Sequence, residues 1–127
     1  MPAKRYKDYR FYAFVVLNFI ASNLGVHIFQ KDLDQFINPI IQNQSGVSKS
    51  SIMYEINSNH NMTNKVLSYL EEEKLIEIKT ETGEYKITIT KKGVNYLREY
   101  SRFYVTLFNK ELAELYRFRS TPSWVKE

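Results

Sequence analysis

Hydrophobic residues between positions 52 and 100 recur first at helical spacing and then at alternate positions. From about Asn59 to Glu73, four apolar side chains fall on one helical face: Met62, Val66, Leu67 and Leu70. Short polar or basic side chains fall away from that face: His60, Thr63, Asn64, Lys65 and Ser68. This pattern predicts a helix that buries its apolar side and exposes its polar side.

Two short segments after this helix alternate between apolar and polar residues. Ile76 and Ile78 alternate with Glu77 and Lys79 in the first segment. The second segment has the same period: Tyr85, Ile87 and Ile89 alternate with Lys86 and Thr88. Because Glu81-Thr82-Gly83 lies between them, the pattern predicts a β-hairpin with strands at residues 75–79 and 84–90.

The remaining patterns predict helices before and after this unit. The expected helices are Tyr6 to Leu24 ending near Gly25, Lys31 to Asn43 broken near Asn38 by Pro39, Ser48 (as N-cap) to Ile56, and Lys91 to about Phe118. This order predicts a mainly α fold with a small hairpin (α+β). The predicted architecture is a winged helix-turn-helix with an added N-terminal helix and a long C-terminal dimerisation helix.

The predicted layout is one structural domain. Residues 1–30 form a basic arm and an apolar helix, residues 31–92 the winged helix-turn-helix, residues 93–118 the dimerisation helix, and residues 119–127 a tail. We expect the tail to be mobile, and the sequence leaves open whether Trp124 docks on the body.

The last helix carries two apolar stripes, which predict a homodimer. One stripe contains Val94, Leu97, Ser101, Tyr104, Phe108, Leu112 and Leu115, and the other contains Tyr96, Tyr100, Phe103 and Leu107. A short monomer offers little protein to cover both stripes. The alternative is that the first helix covers them within one chain. The residues predicted for the dimer interface are Phe11, Phe14, Leu97, Tyr100, Tyr104, Leu107, Phe108, Leu112 and Leu115.

Composition sets limits on other functions. The chain has 127 residues, a formal charge of +4 and no cysteine, which excludes disulfides and thiolate metal sites. Residues 11–29 are apolar enough to be considered as a membrane span. However, Asn18, Ser22, Asn23 and His27 favour a helix buried in protein, so we predict no membrane association and a cytoplasmic protein. We expect His27 to be a hydrogen-bonded core residue.

Enzyme chemistry has little support in the sequence. His27 and His60 are the only histidines, and no carboxylate stands at metal-ligand spacing from either. Phosphate-binding glycine loops and nucleophile elbows are also missing. We therefore predict a non-enzymatic protein without a cofactor or metal, and the sequence reveals no small-molecule ligand.

Several local motifs are shared with a known family. They are Ile40-Ile41, Gly46 before a Ser/Lys-rich cap, Ser51-Ile52-Met53-Tyr54, Asn57, Met62-Thr63, Leu70, the Ile76-Glu77-Ile78 strand, Gly83, Tyr85, and Thr90-Lys91-Lys92-Gly93 with Leu97. Through these, residues 34–103 resemble the archaeal winged-helix family that includes small crenarchaeal chromatin proteins. The resemblance implies DNA binding by a homodimer that pairs its last helices in an antiparallel coiled coil. The chain departs from that family in its residues 1–30 and in its acidic hairpin, with Glu77, Glu81 and Glu84.

The predicted partner is double-stranded DNA, bound mainly by the helix at 59–73. Asn pairs with adenine, Lys donates to guanine, and Ser or Thr serves base or phosphate, although each is also an ordinary solvated residue. The predicted contacts are Lys49, Ser50, Asn59, His60, Asn61, Thr63, Asn64, Lys65, Ser68, Lys86, Lys91 and Lys92. Lys49 and Ser50 start the preceding helix and suit a phosphate, while Lys86, Lys91, Lys92 and the N-terminal arm suit non-specific backbone contact.

Three functions stay open at this stage. The first is a transcriptional regulator that reads particular promoters. The second is a sequence-independent chromatin protein associated with the nucleoid. The third is a winged-helix protein-interaction module that does not bind DNA, which the acidic hairpin would fit.

Overall fold

A computed structural model describes residues 9–126, apart from the side chains of Glu81 and Lys126. The helices are α1 (Tyr9–Ser22), α2 (Ile37–Gln42), α3 (Lys49–Ile56), α4 (His60–Glu72), α5 (Lys91–Leu107), α6 (Asn109–Leu115) and α7 (Ser123–Lys126). A single 3₁₀ turn, Leu33–Gln35, precedes α2. Strands β1 (Ile76–Glu81) and β2 (Glu84–Ile89) form the hairpin. The predicted class, a mainly helical winged helix-turn-helix with one hairpin, is confirmed.

Helix α1 lies at the centre of the fold. Ten of its 14 residues are buried, and it packs against α3, α4, α5 and β2. The side chains of Phe11, Val15 and Val16 are completely inaccessible to solvent. The all-round apolar pattern therefore reflects burial by the chain's own elements. In the described part of the chain, no helix combines the length and apolarity needed to cross a membrane.

The helix-turn-helix begins each of its helices with a side-chain cap. The Ser51 amide donates to Ser48 Oγ (3.1 Å) at the start of α3, and the Met62 amide donates to Asn59 Oδ1 (2.8 Å) at the start of α4. Between them Asn57 ends α3 in the left-handed region, with φ at 49°. The predicted caps and turn are thus confirmed, and they set the angle at which α4 leaves α3.

The hairpin pairs its apolar residues on the side facing the core. Ile76 lies opposite Ile89 and Ile78 opposite Ile87. Thr82 and Gly83 form the tip with φ values of 49° and 81°, the geometry of a two-residue type I′ turn. Val47 forms an isolated β-bridge to β2, because it exchanges two backbone hydrogen bonds of 2.9 Å with Ile87. The hairpin is therefore anchored to the segment that leads into α3.

The start of α5 lies very close to the base of the hairpin. The Gly93 amide donates to Thr90 Oγ1 (3.0 Å), whose hydroxyl in turn donates to the Lys74 carbonyl (2.7 Å). A Cβ atom on Gly93 would lie 2.3 Å from the Leu75 carbonyl oxygen. Because no side chain fits there, the glycine permits α5 to pack directly against the strand.

The predicted single helix from Lys91 to Phe118 is wrong. Helix α5 ends at Leu107, and Phe108, with φ −102° and ψ 24°, separates it from α6. The bend follows the core, since Phe108 turns inward and its ring lies 5.4 Å from that of Phe11. No proline or glycine marks this break in the sequence.

Most of the predicted dimer-interface residues are instead part of the core. Burial within one chain, with α1 packed against α5, was the alternative at the sequence level, and Phe11 and Phe14 themselves lie on α1. The buried ones are Phe11, Phe14, Leu97, Phe108, Leu112 and Leu115. Tyr104 is half-buried, with its ring 5.4 Å from that of Phe14. Only Tyr100 and Leu107 of the predicted set stay exposed, at 41% and 55%.

The C-terminal segment is docked on the body, so the expectation of a mobile tail is wrong for its described part. The Trp124 ring packs edge-on against Phe14 (5.4 Å) and Tyr116 (6.2 Å). The Tyr116 hydroxyl donates to Glu55 Oε2 at 2.5 Å. Arg119 donates to the backbone carbonyl of Glu55 at 2.8 Å. This carbonyl lies at the C-terminal end of α3, where the helix dipole stabilises a positive charge.

Candidate nucleic-acid interface

Helix α4 has one buried face and one polar, solvent-exposed face. Val66, Leu67 and Leu70 pack into the core at steps of one, three and four residues. The opposite face carries short polar or basic side chains, all exposed: His60, Asn61, Asn64, Lys65 and Ser68. This orientation is the one predicted from the sequence. The N-cap residue Asn59 is also exposed, but its side-chain oxygen is used by the Met62 amide.

Thr63 is a correction to the predicted site. Its side chain is fully buried, and Oγ1 donates to the Asn59 carbonyl at 2.8 Å. Thr63 precedes Val66 and Leu67 by three and four residues, so it continues the buried stripe by one turn. Met62, predicted as an anchor, is only half-buried. The spacing of Thr63 relative to Val66 and Leu67 indicates the buried face, but threonine is polar and was therefore assigned to the exposed face.

The first turns of α3 and α4 meet the hairpin at one place. Lys49 Nζ lies 3.3 Å from His60 Nε2 and 5.8 Å from the centre of the Tyr85 ring. Ser50 is exposed beside Lys49 in the first turn of α3. Lys49 and His60, predicted separately, thus come together at the N-terminal end of α4. Free amides and the positive end of the α3 dipole add to the positive charge of Lys49.

Tyr85 was missed as a site residue. The alternation placed it on the apolar side of β2 with Ile87 and Ile89, which implied a core position. Instead its residue surface is 50% exposed, because the hairpin extends beyond the body of the domain. An aromatic residue near the tip of a hairpin is a detectable signal, but the sequence does not show where the body ends.

The C-terminal end of α4 is acidic and is separated from this cluster by the length of the helix, about 20 Å at 1.5 Å per residue. Glu71, Glu72 and Glu73 are all exposed there. Lys92 Nζ donates to the Glu73 carbonyl at 2.9 Å, and Lys91 is its exposed neighbour at the start of α5. The structure therefore does not bring Lys91 and Lys92 together with the other predicted contacts.

The outer face of the hairpin carries both signs of charge. Lys86 lies opposite Lys79 in the strand register, and both are exposed. Glu77 and Glu84 are exposed in the same two strands. Residues 1–8, which contain most of the predicted basic arm, lie outside the described part of the chain.

Outside this cluster, the described residues form no metal site, and the prediction for His27 is wrong. His27 is exposed, not a core residue, and its Nδ1 accepts from the Phe29 amide at 3.3 Å. Within residues 9–126, no three His, Asp or Glu side chains are grouped closely enough to hold a metal ion. The polar face of α4 with the Lys49–His60–Tyr85 cluster is the best-defined candidate site.

Comparison with known proteins assigns a known family to the part of the chain that contains this site. A family model described as winged helix-turn-helix matches residues 35–107, which contain α2 to α5 and the hairpin. Neither the curated proteins nor the solved structures include a significant match to this chain. Helix α1 and the segment after α5 lie outside the matched residues.

Proposed function

The chain belongs to the winged helix-turn-helix family, and on this premise we propose that it binds double-stranded DNA as a homodimer and regulates transcription. Proteins of this architecture are typically non-enzymatic DNA-binding modules. The observation that carries the proposal is the exposed polar face at the N-terminal half of α4, supported from behind by Val66, Leu67 and Leu70.

In the proposed complex the N-terminal half of α4 enters the major groove. Asn61, Asn64, Lys65 and Ser68 face outward there, and they are residue types that pair with base edges or phosphates. Recognition helices of this class contact bases with their N-terminal residues. The three glutamates at the other end would repel phosphates, which favours insertion of the N-terminal end only.

The Lys49–His60–Tyr85 cluster supplies the backbone contact in this proposal. Lys49 and Ser50 start α3, where a phosphate oxygen can accept from free amides as well as from the ammonium group. His60 lies within 3.3 Å of Lys49 Nζ, so one phosphate could reach both side chains. Lys86 adds a positive charge on the outer face of the hairpin, where it lies opposite Lys79.

Homodimerisation is proposed through the outer face of α5. Tyr100, Phe103 and Leu107 are spaced three and four residues apart and are 41%, 61% and 55% exposed. We call these three residues the α5 stripe. A two-fold axis beside it would pair the stripe with itself and present two α4 helices to successive grooves. In the archaeal family that the chain resembles, the last helices pair in an antiparallel coiled coil, which is consistent with this arrangement. A DNA-binding protein of this kind would be located on the nucleoid.

One observation favours a second function. Because Glu77 and Glu84 share the hairpin with Lys79 and Lys86, this hairpin is less suited to phosphate than a purely basic one. A protein-interaction module of the same fold is therefore the competing proposal.

Selection of duplexes from a random pool at two salt concentrations tests these functions together. A regulator is expected to enrich one motif at both concentrations. A sequence-independent chromatin protein would retain duplexes at low salt without a motif and lose them steeply as salt rises. Failure to retain any duplex at low salt, with a folded protein, would favour the interaction module and contradict the proposal.

A further inference from the structure

A cavity of about 280 Å³ opens at the C-terminal end of α1, away from the polar face of α4. Asn18, Ala21 and Ser22 of α1 form one wall. Val26 and Phe29 of the following loop and Trp124 of α7 form the others. The volume lies just below the range of about 300–1,000 Å³ that is typical of small-molecule sites. The cavity therefore suits a compact ligand of one or two rings.

A buried amide in this cavity has an unused hydrogen-bond acceptor. Asn18 is only 2% exposed, and its Nδ2 donates to the Phe14 carbonyl at 3.2 Å. Among residues 9–126, no donor reaches its Oδ1. A buried acceptor without a donor has lost its hydrogen bonds to water, and this is unfavourable. A bound N–H or O–H group would remove that cost.

The rest of the lining indicates a neutral ligand. Among the described residues that line the cavity there is no Asp, Glu, Lys or Arg, and His27 is the one ionisable side chain. The Trp124, Phe29 and Val26 side chains are half-buried, so each retains apolar surface that a ligand could cover. A charged ligand would lose part of its hydration here without gaining a carboxylate, ammonium or guanidinium partner from the described lining.

A larger cavity, of about 520 Å³, makes a useful contrast. Its half-buried polar side chain, Gln44, is already paired. Gln44 Nε2 donates to the carbonyls of Ile41 and Ile89 (3.0 and 2.7 Å), and its Oε1 accepts from the Ile89 amide (3.0 Å). That cavity has no comparable unmet acceptor, so Gln44 has a structural role instead.

We propose that the cavity between α1 and α7 binds a neutral one- or two-ring aromatic molecule through an N–H or O–H donated to Asn18 Oδ1. The ring would pack between Trp124 and the Val26–Phe29 loop. This proposal does not depend on DNA binding, so the two can fail separately.

The test uses 1-aminonaphthalene, a neutral two-ring aromatic amine whose emission shifts to shorter wavelength in apolar sites. Trp124 is the only tryptophan in the chain, so energy transfer from tryptophan to the probe reports binding beside α7. We expect saturable enhancement of probe fluorescence with matching loss of tryptophan emission. The hydrocarbon 1-methylnaphthalene, which has a similar size but lacks the N–H, is expected to compete about 3–10-fold more weakly, the value of one net hydrogen bond.

Three variants locate the site. Ser22→Phe places a ring in the cavity mouth without removing a buried side chain, and is expected to weaken probe binding at least about tenfold. The matched control, Ser120→Phe, adds the same ring at an exposed position that does not line the cavity, and should leave binding unchanged. Asn18→Leu is expected to abolish the preference for the amine over the hydrocarbon.

Probe binding without energy transfer, or equal binding by Ser22→Phe and Ser120→Phe, would overturn the proposal. An unchanged amine preference in Asn18→Leu would also overturn it, because the acceptor would then have no role. If Ser22→Phe does not fold by circular dichroism, Val26→Phe blocks the cavity from the loop side instead. Retained binding in a folded Val26→Phe variant contradicts the assignment.

Discussion

The exposed α5 stripe predicts a dimer that two acidic substitutions should dissociate. Phe103 and Leu107 are 61% and 55% exposed in the single chain, although both are large apolar residues. Replacing both by glutamate removes the apolar surface and places like charges opposite each other across a two-fold axis. The buried face of α5 keeps Leu97 and Ser101, so the fold of each copy should be retained.

The expected loss of dimer stability follows from the exposed fractions of Phe103 and Leu107. Full burial of a Phe or Leu side chain contributes about 1.5–3 kcal/mol. With somewhat more than half of each side chain still exposed, a partner gains about 1–2 kcal/mol per side chain. Two-fold symmetry repeats each position, so the four side chains together contribute about 4–8 kcal/mol, before charge repulsion is added. The dissociation constant should rise at least about a thousandfold.

Sedimentation velocity over a range of concentrations measures this change. The wild-type chain, with a mass of 15.1 kDa, should sediment as a species of twice that mass, and Phe103→Glu/Leu107→Glu as a monomer. Asn95→Glu/Thr106→Glu is the matched control, since it adds the same charges at exposed positions of α5 beside the stripe. A monomeric wild type, or a Phe103→Glu/Leu107→Glu variant that dimerises like the control, would refute the reasoning.

Three further predictions concern positions that the structure newly defines. Thr63→Val should lower stability by about 1 kcal/mol through its lost hydrogen bond but leave duplex affinity unchanged, as checked by denaturation and anisotropy; lost affinity with intact stability would contradict its burial. Gly93→Ala should lower the free energy of unfolding by about 1–3 kcal/mol, measured in urea, because its Cβ would overlap a carbonyl; a neutral effect would contradict that packing. Burial, and then the hydrogen bond to Glu55, raises the pKa of Tyr116 above 10.0, so its stabilisation is present below pH 10 and is lost as pH rises further. Tyr116→Phe should therefore flatten the alkaline fall in stability by up to about 1.4 kcal/mol per pH unit, and an unchanged slope would contradict this.

Local signals in the sequence were sufficient for the helix-turn-helix and the hairpin. Ser48 and Asn59 cap their helices because short acceptor side chains precede an apolar periodic run. The alternation of Ile76 and Ile78 with charged residues determined which side of β1 faces the core. These features depend on neighbouring residues only, so no knowledge of the tertiary fold was needed.

Features set by packing were harder to predict. The all-round apolar character of α1 required burial on every side, but it could not reveal whether one chain or two supplied the cover. The break at Phe108 has no proline or glycine to announce it. Thr63 was misassigned because its hydroxyl can be satisfied by the backbone one turn earlier, which makes a buried threonine inexpensive.

Only part of the candidate site could be predicted, because some of its contacts also depend on packing. The outward face of α4 follows from its periodicity, whereas the contact between Lys49 and His60 depends on the angle between two helices. Lys92 resembles a phosphate ligand in sequence, but the fold places it against the Glu73 carbonyl. Only the three-dimensional arrangement separates such structural lysines from free ones.

The most direct test of the central claim is the affinity of Asn64→Ala/Lys65→Ala for a selected duplex, measured by fluorescence anisotropy over several salt concentrations. Two base or phosphate contacts per copy predict a loss of at least about 30-fold, at about 1–3 kcal/mol for each good base contact. If Lys65 contacts phosphate, the salt dependence should also become shallower. The control Asn109→Ala/Lys110→Ala removes the same residue types from exposed positions of α6 and should bind like the wild type. Equal affinity of both variants at every salt concentration would contradict the account.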